Sequence, residues 1–376
     1  MDQIWGNIGL LLDYPIVNLK IIIDGVMIGA LFALAAYGLA LVWGVMNVKN
    51  LAQGDFVIAG GYVAWWLAGI GLHPFFGIVA AFIVMALIGG ALYGTKLHNW
   101  VRRHRTSMIV LSCLAFLILA VGIYSESNPI LLTAIFGADT TVSPGNLTGI
   151  AGGALLILLI INGGIYDVII SRVIERDLFT SLLATFGLAI MMAQILNLMF
   201  GSDTQSIDLG YETLHFADGL IDVPISKLIG VFMALALAAA VIIYMKRSRM
   251  GQAIRATAQD ARAARVLGID TEKVYAFTFT LNSAICGAAG AIIVMAWVIQ
   301  PFYGITYSIR AFVIVTAAGL GNLPGVIAAG LGIGAAEQYG SHIFGIGYQQ
   351  AIAVLLLLLV LMVRLLLQRR KRQVLQ

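Results

Sequence analysis

Three acidic residues lie within apolar stretches of this sequence that are long enough to cross a membrane as helices. They are Asp24, Asp167 and Glu337. A charge in hydrocarbon costs about 2.5–3.5 kcal/mol on insertion scales, so each of them needs an explanation. Lys20 precedes Asp24 by one helical turn and predicts an i,i+4 pair, whereas Asp167 and Glu337 fall near the ends of their stretches and predict contact with interfacial water. The three do not form the series of acids that a proton relay requires.

Motifs for catalysis and nucleotide binding are absent from the sequence. It has no G-x-x-x-x-G-K-[ST] loop to hold phosphates and no H-E-x-x-H pair to hold zinc. The five histidines are scattered, and Cys113 and Cys286 lie in separate apolar stretches, which indicates neither a disulfide nor a metal site. We therefore expect no cofactor and no ATP hydrolysis in this chain. An intramembrane enzyme would need a polar catalytic cluster at one depth, which the sequence lacks.

The polar stretch 45–56, VMNVKNLAQGDF, is the best candidate for contact with a solute. Asn50, Gln53 and Gly54 interrupt an otherwise apolar run. Irregular backbone beside a membrane is tolerated only where protein or a watery cavity covers it. A plain cytoplasmic turn between two helices explains the same residues equally well, and both interpretations stay open.

Two further sites share this ambiguity. Residues 298–310, VIQPFYGITYSIR, form either a second break between apolar segments or an interfacial aromatic loop. Asn282 lies inside an apolar segment, where it predicts a hydrogen bond between helices, with a place on a solute path as the alternative.

The longest polar segment, residues 246–273, is rich in arginine and alanine, which favours a short helix outside the membrane. We call it the polar loop. Gly251 and Gly268 bracket a predicted helix of about fifteen residues, and its alanines offer a small-residue contact surface. A solvated basic loop, or one that touches anionic lipid, is the alternative to a docking surface for a cytoplasmic partner.

The composition that frames these segments is that of an integral membrane protein. Of 376 residues, 61% are hydrophobic and 11% charged, against roughly 45–50% and 25% in soluble domains. Apolar segments of about 20 residues recur along the chain, each long enough to cross a hydrocarbon core of about 30 Å. We expect an all-α, polytopic fold with about 9–11 transmembrane helices in one domain, 1–376. The net charge of +4 then indicates no nucleic-acid partner.

The predicted spans are eleven in number, and the short pair near residue 320 suggests half-helices or a bent hairpin. They are 19–44, 55–71, 75–99, 107–125, 148–170, 179–200, 226–245, 272–298, 308–320, 323–340 and 347–367. If the N-terminus lies outside and each span crosses once, all but three of the 22 lysines and arginines fall in inner segments. The exceptions, Lys20, Lys227 and Arg310, fall at outer ends of spans. This distribution predicts an outer N-terminus, a cytoplasmic C-terminus and a cytoplasmic polar loop.

The polar loop also carries a resemblance to a known family. Residues 250–270, MGQAIRATAQDARAARVLGID, closely resemble the loop of the permeases of branched-chain amino acid ABC importers. That loop runs roughly as M-G-x-A-x-R-A-x-A-Q-D, then an alanine-containing stretch, then G-I-[DN]. Residues 172–201 and 317–338 are similar to later segments of the same family.

The early stretch 29–64 resembles the N-terminal signature of this family. Asn50, Gln53 and Gly54 stand at its N-x-A-H-G-like positions, with Gln53 where a histidine is common. Residues from about 100 to 165 depart from the pattern, because two spans and an outer loop stand there as an apparent insert. Two extra crossings preserve the topology of the remaining spans.

The resemblance implies an ABC importer permease fold and a set of partners. These are a second homologous permease subunit, identical or different, two cytoplasmic ATPase subunits that bind the ATP, and an extracytoplasmic solute-binding protein. The implied location is a bacterial inner membrane, where the chain contacts membrane lipid. The implied substrate is a small solute such as a branched-chain amino acid, urea or an amide. A secondary transporter or channel that works without an ATPase is the alternative.

The resemblance also implies roles within the polar loop, which corresponds to a coupling helix seated in a groove of the ATPase. In these roles Arg255, Gln259 and Asp260 contact the ATPase. Gly251 and Gly268 shape the ends of the helix, and Ala256 and Ala264 pack against neighbouring residues. On the residue arguments given above, and not on the resemblance, the candidates for the solute path are Asn50, Gln53, Gly54 and Asn282.

Overall fold

A computed structural model describes residues 2–46, 48, 50–93, 178–216, 221–319 and 322–373. The predicted spans 107–125 and 148–170, the apparent insert and Asp167 lie outside these residues. The helices are α1 (Asp2–Asp13), α2 (Pro15–Met46), α3 (Gln53–Gly69), α4 (Pro74–Tyr93), α5 (Leu178–Phe200), α6 (Ile225–Arg247), α7 (Arg249–Gln259), α8 (Ala261–Val266), α9 (Thr271–Ala296), α10 (Gly304–Ala318), α11 (Leu323–Phe344) and α12 (Gln349–Gln373). Short 3₁₀ turns occupy Pro301–Tyr303 and Ile346–Tyr348.

The all-α, polytopic prediction is confirmed. Each predicted span within the described residues coincides in place with a helix, and five helices there are long and apolar enough to cross a membrane. A two-stranded hairpin, β1 (Thr213–Phe216) against β2 (Ile221–Pro224), lies between α5 and α6. Short 3₁₀ turns and this hairpin are small additions to a helical molecule.

The centre of the molecule is α2. Of an apolar stretch of 18 residues in this helix, 94% are buried, whereas the corresponding shares in α5 and α6 are 17% and 28%. One side of α2 packs on α11 through a glycine seam formed by Gly25, Gly29, Gly330 and Gly334. A Cβ at any of these four glycines would overlap the neighbouring helix. Small residues of this kind let two backbones approach closely in lipid.

Helices α2 and α9 lie side by side and run in opposite directions. Gly38 of α2 lies against Asn282 of α9. About two turns earlier on α2, Leu31 lies beside Gly230 of α6 together with Ile292, which comes later on α9. The two helices are therefore antiparallel. Each is followed by a non-helical break and then by a shorter helix.

The shorter helices begin inside the molecule and not at its ends. Gln53, the first residue of α3, bonds to the Ala35 carbonyl, about three turns before α2 ends. It also bonds to Asn282, near the middle of α9. Gly304, the first residue of α10, touches Asp55 of α3 and so begins at the same height. The units α2–break–α3 and α9–break–α10 are thus an inverted pair, the arrangement typical of transporters with discontinuous helices.

Each break has backbone groups that bond within the described part of the protein. Ile299 and Gln205 exchange two backbone hydrogen bonds of 2.8 Å. In the first break, the Leu51 amide donates to the Thr185 hydroxyl and the Leu51 carbonyl accepts from Ser308. Irregular backbone at membrane depth is tolerated under this condition. The alternative of a plain cytoplasmic turn between two helices is wrong in one respect: the segment does not lie in water, because Asn50 and Gln53 are 1% and 0% exposed.

Two ion pairs at the start of α2 correct the prediction of an i,i+4 pair. Asp24 bonds to Lys227 of α6 at 3.3 Å, and Lys20 bonds to Asp222 of β2 at 3.5 Å. Asp24 and Lys20 thus each pair with a neighbouring element, because α6 and the hairpin pack against the first turns of α2. Hydrogen bonds from His215 and then Lys20 hold the pKa of Asp222 below its ordinary value.

Candidate functional site

Gln53 is the centre of a buried polar cluster that joins three helices. Its amide nitrogen donates to the Ala35 carbonyl and to the Asn282 Oδ1, each at 3.0 Å, and lies 2.8 Å from the Cys286 Sγ. Gln53 and Asn282 are both 0% exposed. A helix-to-helix hydrogen bond at Asn282 was predicted and is confirmed. Because Gln53 Oε1 and Asn282 Nδ2 have no partner among the described residues, the cluster keeps unused polar capacity.

Gly54 lies beside this cluster, where α3 and α10 meet. A Cβ on Gly54 would overlap the Gly304 carbonyl, so the two backbones touch. The Gly54 amide donates to the Ser308 Oγ at 2.8 Å, and that hydroxyl donates to the Leu51 carbonyl at 2.6 Å. We call this contact, Gln53–Asp55 against Gly304–Ser308, the crossing. At the crossing each half-helix presents its N-terminus to the other.

Asp55 is a buried acid at the crossing that the sequence reasoning missed, because a predicted span boundary falls on it. The residue is 1% exposed, and its carboxylate lies against Gly304 at the start of α10. A carboxylate is stabilised near a helix N-terminus by the unpaired amides and the helix dipole. One of its oxygens, Oδ2, makes no hydrogen bond within the described residues.

Asn50 shapes the approach to α3 from the first break. Its Oδ1 accepts from the Ala52 amide at 3.0 Å and thereby bends the chain before the helix begins. Of the four residues predicted for a solute path, Gln53 bonds directly to Asn282 and Gly54 follows Gln53 in α3, whereas Asn50 is buried three positions before Gln53. Their role in transport stays a prediction.

Glu337 was predicted to be interfacial, but it is buried in an ion pair with Arg310. The two side chains are about 6–7% exposed, and Glu337 Oε1 accepts from the Arg310 Nη2 at 2.6 Å and from its Nε at 2.8 Å. The guanidinium also lies over the Phe32 ring, 4.6 Å from its centroid. The prediction failed because the partner of Glu337 lies on another helix, α10, which no local pattern reveals.

The polar loop contains two helices, so the prediction of one helix of about fifteen residues is wrong. Asp260 separates α7 from α8 with an extended backbone, φ −155° and ψ 106°. Its carboxylate accepts from the Arg262 amide at 2.8 Å and from the Ala263 amide at 3.0 Å, which makes it the N-cap of α8. Those bonds, with Ala263 the stronger contributor, hold the pKa of Asp260 below its ordinary value.

Gly251 and Gly268 differ in what they do within the polar loop. Gly251 lies within the first turn of α7, where a Cβ would overlap the backbone of Met245, so its place is set by a close approach to α6. Gly268 follows α8 with φ +83°, a left-handed conformation that favours glycine. Only Gly268 therefore ends a helix.

The remaining predicted residues of the polar loop divide by exposure. Gln259 is exposed, Ala256 is half-buried and Ala264 is 2% exposed. The exposed Arg255 donates to the Met245 carbonyl and so ties α7 to the end of α6. Contact of Arg255, Gln259 and Asp260 with an ATPase stays a prediction.

Val266 and Leu267 are the residues of the polar loop that sequence reasoning missed. They are 88% and 79% exposed, the most exposed of the large apolar side chains described. Their position directly before Gly268, in an otherwise polar segment, was the available signal. Exposed apolar patches with a polar rim mark contacts with another protein or with the membrane surface.

The family of the chain follows from its similarity to known proteins. The model of the branched-chain amino acid transport system permease component matches residues 21–130 and 140–364. The chain belongs to this family. The matched residues run through most of the range 100–165, which lies outside the described part of the chain, and the insert there stays a prediction.

Relatives in bacteria and an archaeon extend over nearly the whole chain. The chain is 26% identical over 345 residues to the high-affinity branched-chain amino acid transport system permease protein BraD of Pseudomonas aeruginosa, covering 89% of this chain and 90% of that protein. It is 25% identical to LivH of Escherichia coli K12 over 88% of each chain, and 27% identical to the probable LivH of Methanocaldococcus jannaschii over 88% of this chain and 84% of that protein. No solved structure matches the chain.

Membership of this permease family defines the general role of the chain. It is a multi-pass membrane protein and the transmembrane permease subunit of an ABC importer, not an enzyme. ATP hydrolysis belongs to separate subunits, and ATPase and binding-protein partners follow in general from this role. The alternative of a transporter that works without an ATPase is set aside.

Proposed function

We propose that the solute passes at the crossing and that the crossing is the gate of this permease. The observation that carries the proposal is the meeting of two half-helix N-termini inside the molecule, with only Gly54 and Gly304 between their backbones. Discontinuous helices of this kind form the solute sites of transporters near the bilayer midplane. A small relative movement of α3 and α10 would open a path there, lined by Asn50, Gln53, Gly54 and Asn282.

The polar loop is the docking surface for an ATPase subunit in this proposal. Arg255, Gln259 and Asp260 supply polar contacts, and the exposed Val266 and Leu267 supply an apolar anchor. Gly251 and Arg255 fix α7 to the end of α6, so a push on α7 is transmitted to a spanning helix. Ala256 and Ala264 pack beneath this surface, and Gly268 ends α8.

The orientation is N-terminus outside and C-terminus cytoplasmic, in the inner membrane. Support comes from the balance of charges at the two ends of the helices. On the side of the α2 start, Lys20 and Lys227 are paired with Asp222 and Asp24, which leaves little free positive charge. The opposite side carries the arginines of the polar loop, and an excess of lysine and arginine is typical of the cytoplasmic side.

The assembly contains a second homologous permease, two ATPase subunits and an extracytoplasmic solute-binding protein. The substrate is a small solute, and a branched-chain amino acid is favoured because the relatives are named for its transport. Urea and short amides are the alternatives. The apolar faces of α5 and α6, which are largely exposed in this chain, are available for lipid and for a second permease.

The gate is tested by Gly54→Ala, which forces the backbones of α3 and α10 apart. ATP-dependent uptake of leucine by the complete transporter in proteoliposomes should fall at least about tenfold, while ATPase co-purification is unchanged because the polar loop is untouched. Gly187→Ala is the matched control, since a Cβ there meets nothing within 4 Å. Wild-type uptake by Gly54→Ala would show that the crossing is not the gate.

A further inference from the structure

A cavity of about 830 Å³ opens between the end of α9, the second break and the first turns of α10. Its size lies within the range of about 300–1,000 Å³ that is typical of ligand pockets. Met295, Trp297, Tyr303 and Tyr307 contribute apolar and aromatic wall, and Arg310 contributes a cation. Because Tyr303 and Tyr307 flank Gly304 at the start of α10, this wall of the cavity lies beside the crossing.

Arg310 is an unusual residue for such a wall, since a cation that is 6% exposed carries a large desolvation cost. Glu337 on one side and the Phe32 ring on the other hold the guanidinium in a fixed position. A guanidinium has five N–H donors. Both contacts with Glu337 go to a single oxygen, Oε1, and they use one edge of the guanidinium, Nε and Nη2.

This arrangement suits a second carboxylate. An arginine fork binds a carboxylate through two parallel hydrogen bonds, and it does so most strongly when the fork is oriented beforehand. The cavity also contains Asp208, whose carboxylate could balance an ammonium group of the same solute. Urea and short amides carry no negative charge, so they cannot form an ion pair with the buried guanidinium.

We propose that Arg310 anchors the carboxylate of a zwitterionic solute with an apolar side chain, before that solute reaches the crossing. The inference rests on the proposed function, because the cavity is an entry site only if the crossing is the gate. Glu337 orients the guanidinium and competes with the solute for its donors. The pair therefore sets both the place and the strength of carboxylate binding, and it selects against neutral amides.

The test measures binding of L-leucine to the purified permease–ATPase complex in nanodiscs, without binding protein, by the fluorescence of Trp297 in the cavity wall. Trp297→Phe identifies the part of the signal that comes from this site. Isovaleramide, a neutral amide of similar shape, is titrated in parallel. We expect leucine to bind and isovaleramide to bind at least about tenfold more weakly.

Two variants separate an anchor from a merely structural ion pair. Arg310→Gln combined with Glu337→Gln removes both charges without leaving either one orphaned, and it should weaken leucine binding at least about tenfold. Glu337→Gln alone frees the guanidinium and should tighten leucine binding a few-fold, whereas a structural pair would be weakened by both changes.

The inference is overturned if the double variant binds leucine as well as the wild type does, if isovaleramide binds equally well, or if the wild type gives no saturable leucine signal. None of these outcomes touches the proposed gate. That proposal fails separately, through wild-type uptake by Gly54→Ala in the complete transporter.

Discussion

At the scale of single residues, Gln53 decides how α2, α3 and α9 are held together. Gln53→Leu would leave the buried Asn282 Oδ1 with only the weak Cys286 thiol donor at 3.6 Å, at a cost of about 1–3 kcal/mol. We expect a lower midpoint of thermal unfolding in detergent for this variant. Adding Asn282→Leu should recover part of the loss, because replacing both partners with apolar groups is nearly neutral.

A double-mutant cycle on Gln53 and Asn282 measures this recovery. A coupling of about 0.5–3 kcal/mol is expected for residues in one hydrogen-bond network. Simple addition of the two single effects would contradict the bond. Asn197→Leu, on the more exposed α5, is a control that should leave the effect of Gln53→Leu unchanged.

Residue types in the sequence indicated which positions matter, but not which side chains meet. Asn50, Gln53, Gly54 and Asn282 were found because polar residues interrupt apolar runs. Arg310 and Glu337 were placed at the membrane interface because their burial depends on each other, across two helices. Asp55 was missed since an acid at a span boundary looks solvated, although here the half-helix α3 begins inside the molecule.

At the scale of elements, the break at Asp260 sets the direction of α8 relative to α7. It thereby determines where Val266 and Leu267, at the end of α8, are placed. Asp260→Ala removes the N-cap of α8, and we expect several-fold weaker co-purification of the ATPase subunit. Asp260→Asn keeps the cap, because asparagine caps a helix about as well as aspartate does, and removes only the charge. Weakening by Asp260→Ala alone assigns the effect to the cap, whereas weakening by both variants assigns it to contact of the carboxylate with the ATPase. Wild-type co-purification with both Asp260→Ala and Leu267→Asp would contradict the docking surface.

The same cap has a pH dependence whose sign follows from the lowered pKa of Asp260. The ionised carboxylate accepts the amides of Ala263 and Arg262, so the folded pKa lies below the unfolded one. The stability that this contributes is fully present above the unfolded pKa and is lost only as pH falls through the folded pKa. Hydrogen exchange at the Ala263 amide should therefore stay protected in the wild type across neutral pH, with loss of protection near neutrality contradicting the cap.

The helices themselves were predictable, because every described span carries a long apolar run. The bend at Asp260 was not, since the alanines and arginines on both sides favour helix and only the side-chain cap of Asp260 interrupts it. Residues 29–41 and 283–295 are both rich in alanine and glycine, but this similarity of composition does not predict the inverted pairing of α2–α3 with α9–α10. Its geometry depends on contacts between segments more than two hundred residues apart, such as that between Gln53 and Asn282.

At the scale of the whole molecule, the burial of α2 has a consequence for the order of synthesis. This helix is among the first to leave the ribosome, yet α9, α10 and α11, which surround it, are among the last. During that interval it resides in lipid, which its apolar composition permits. It contributes to the polar cluster only the Ala35 carbonyl, a backbone group.

A lipid with a photoreactive acyl chain makes this interval measurable. In a chain that stops after α4, we expect labelling of residues 27–42 in α2, because the helices that bury them are missing. The complete chain should lose that labelling and keep the labelling of α4, whose Val79 and Leu87 are 58% and 68% exposed. Labelling of α2 that is the same in both chains would contradict this order of events. The sequence of α2 therefore has to suit two solvents in succession, first hydrocarbon and then the packed interior of its own protein.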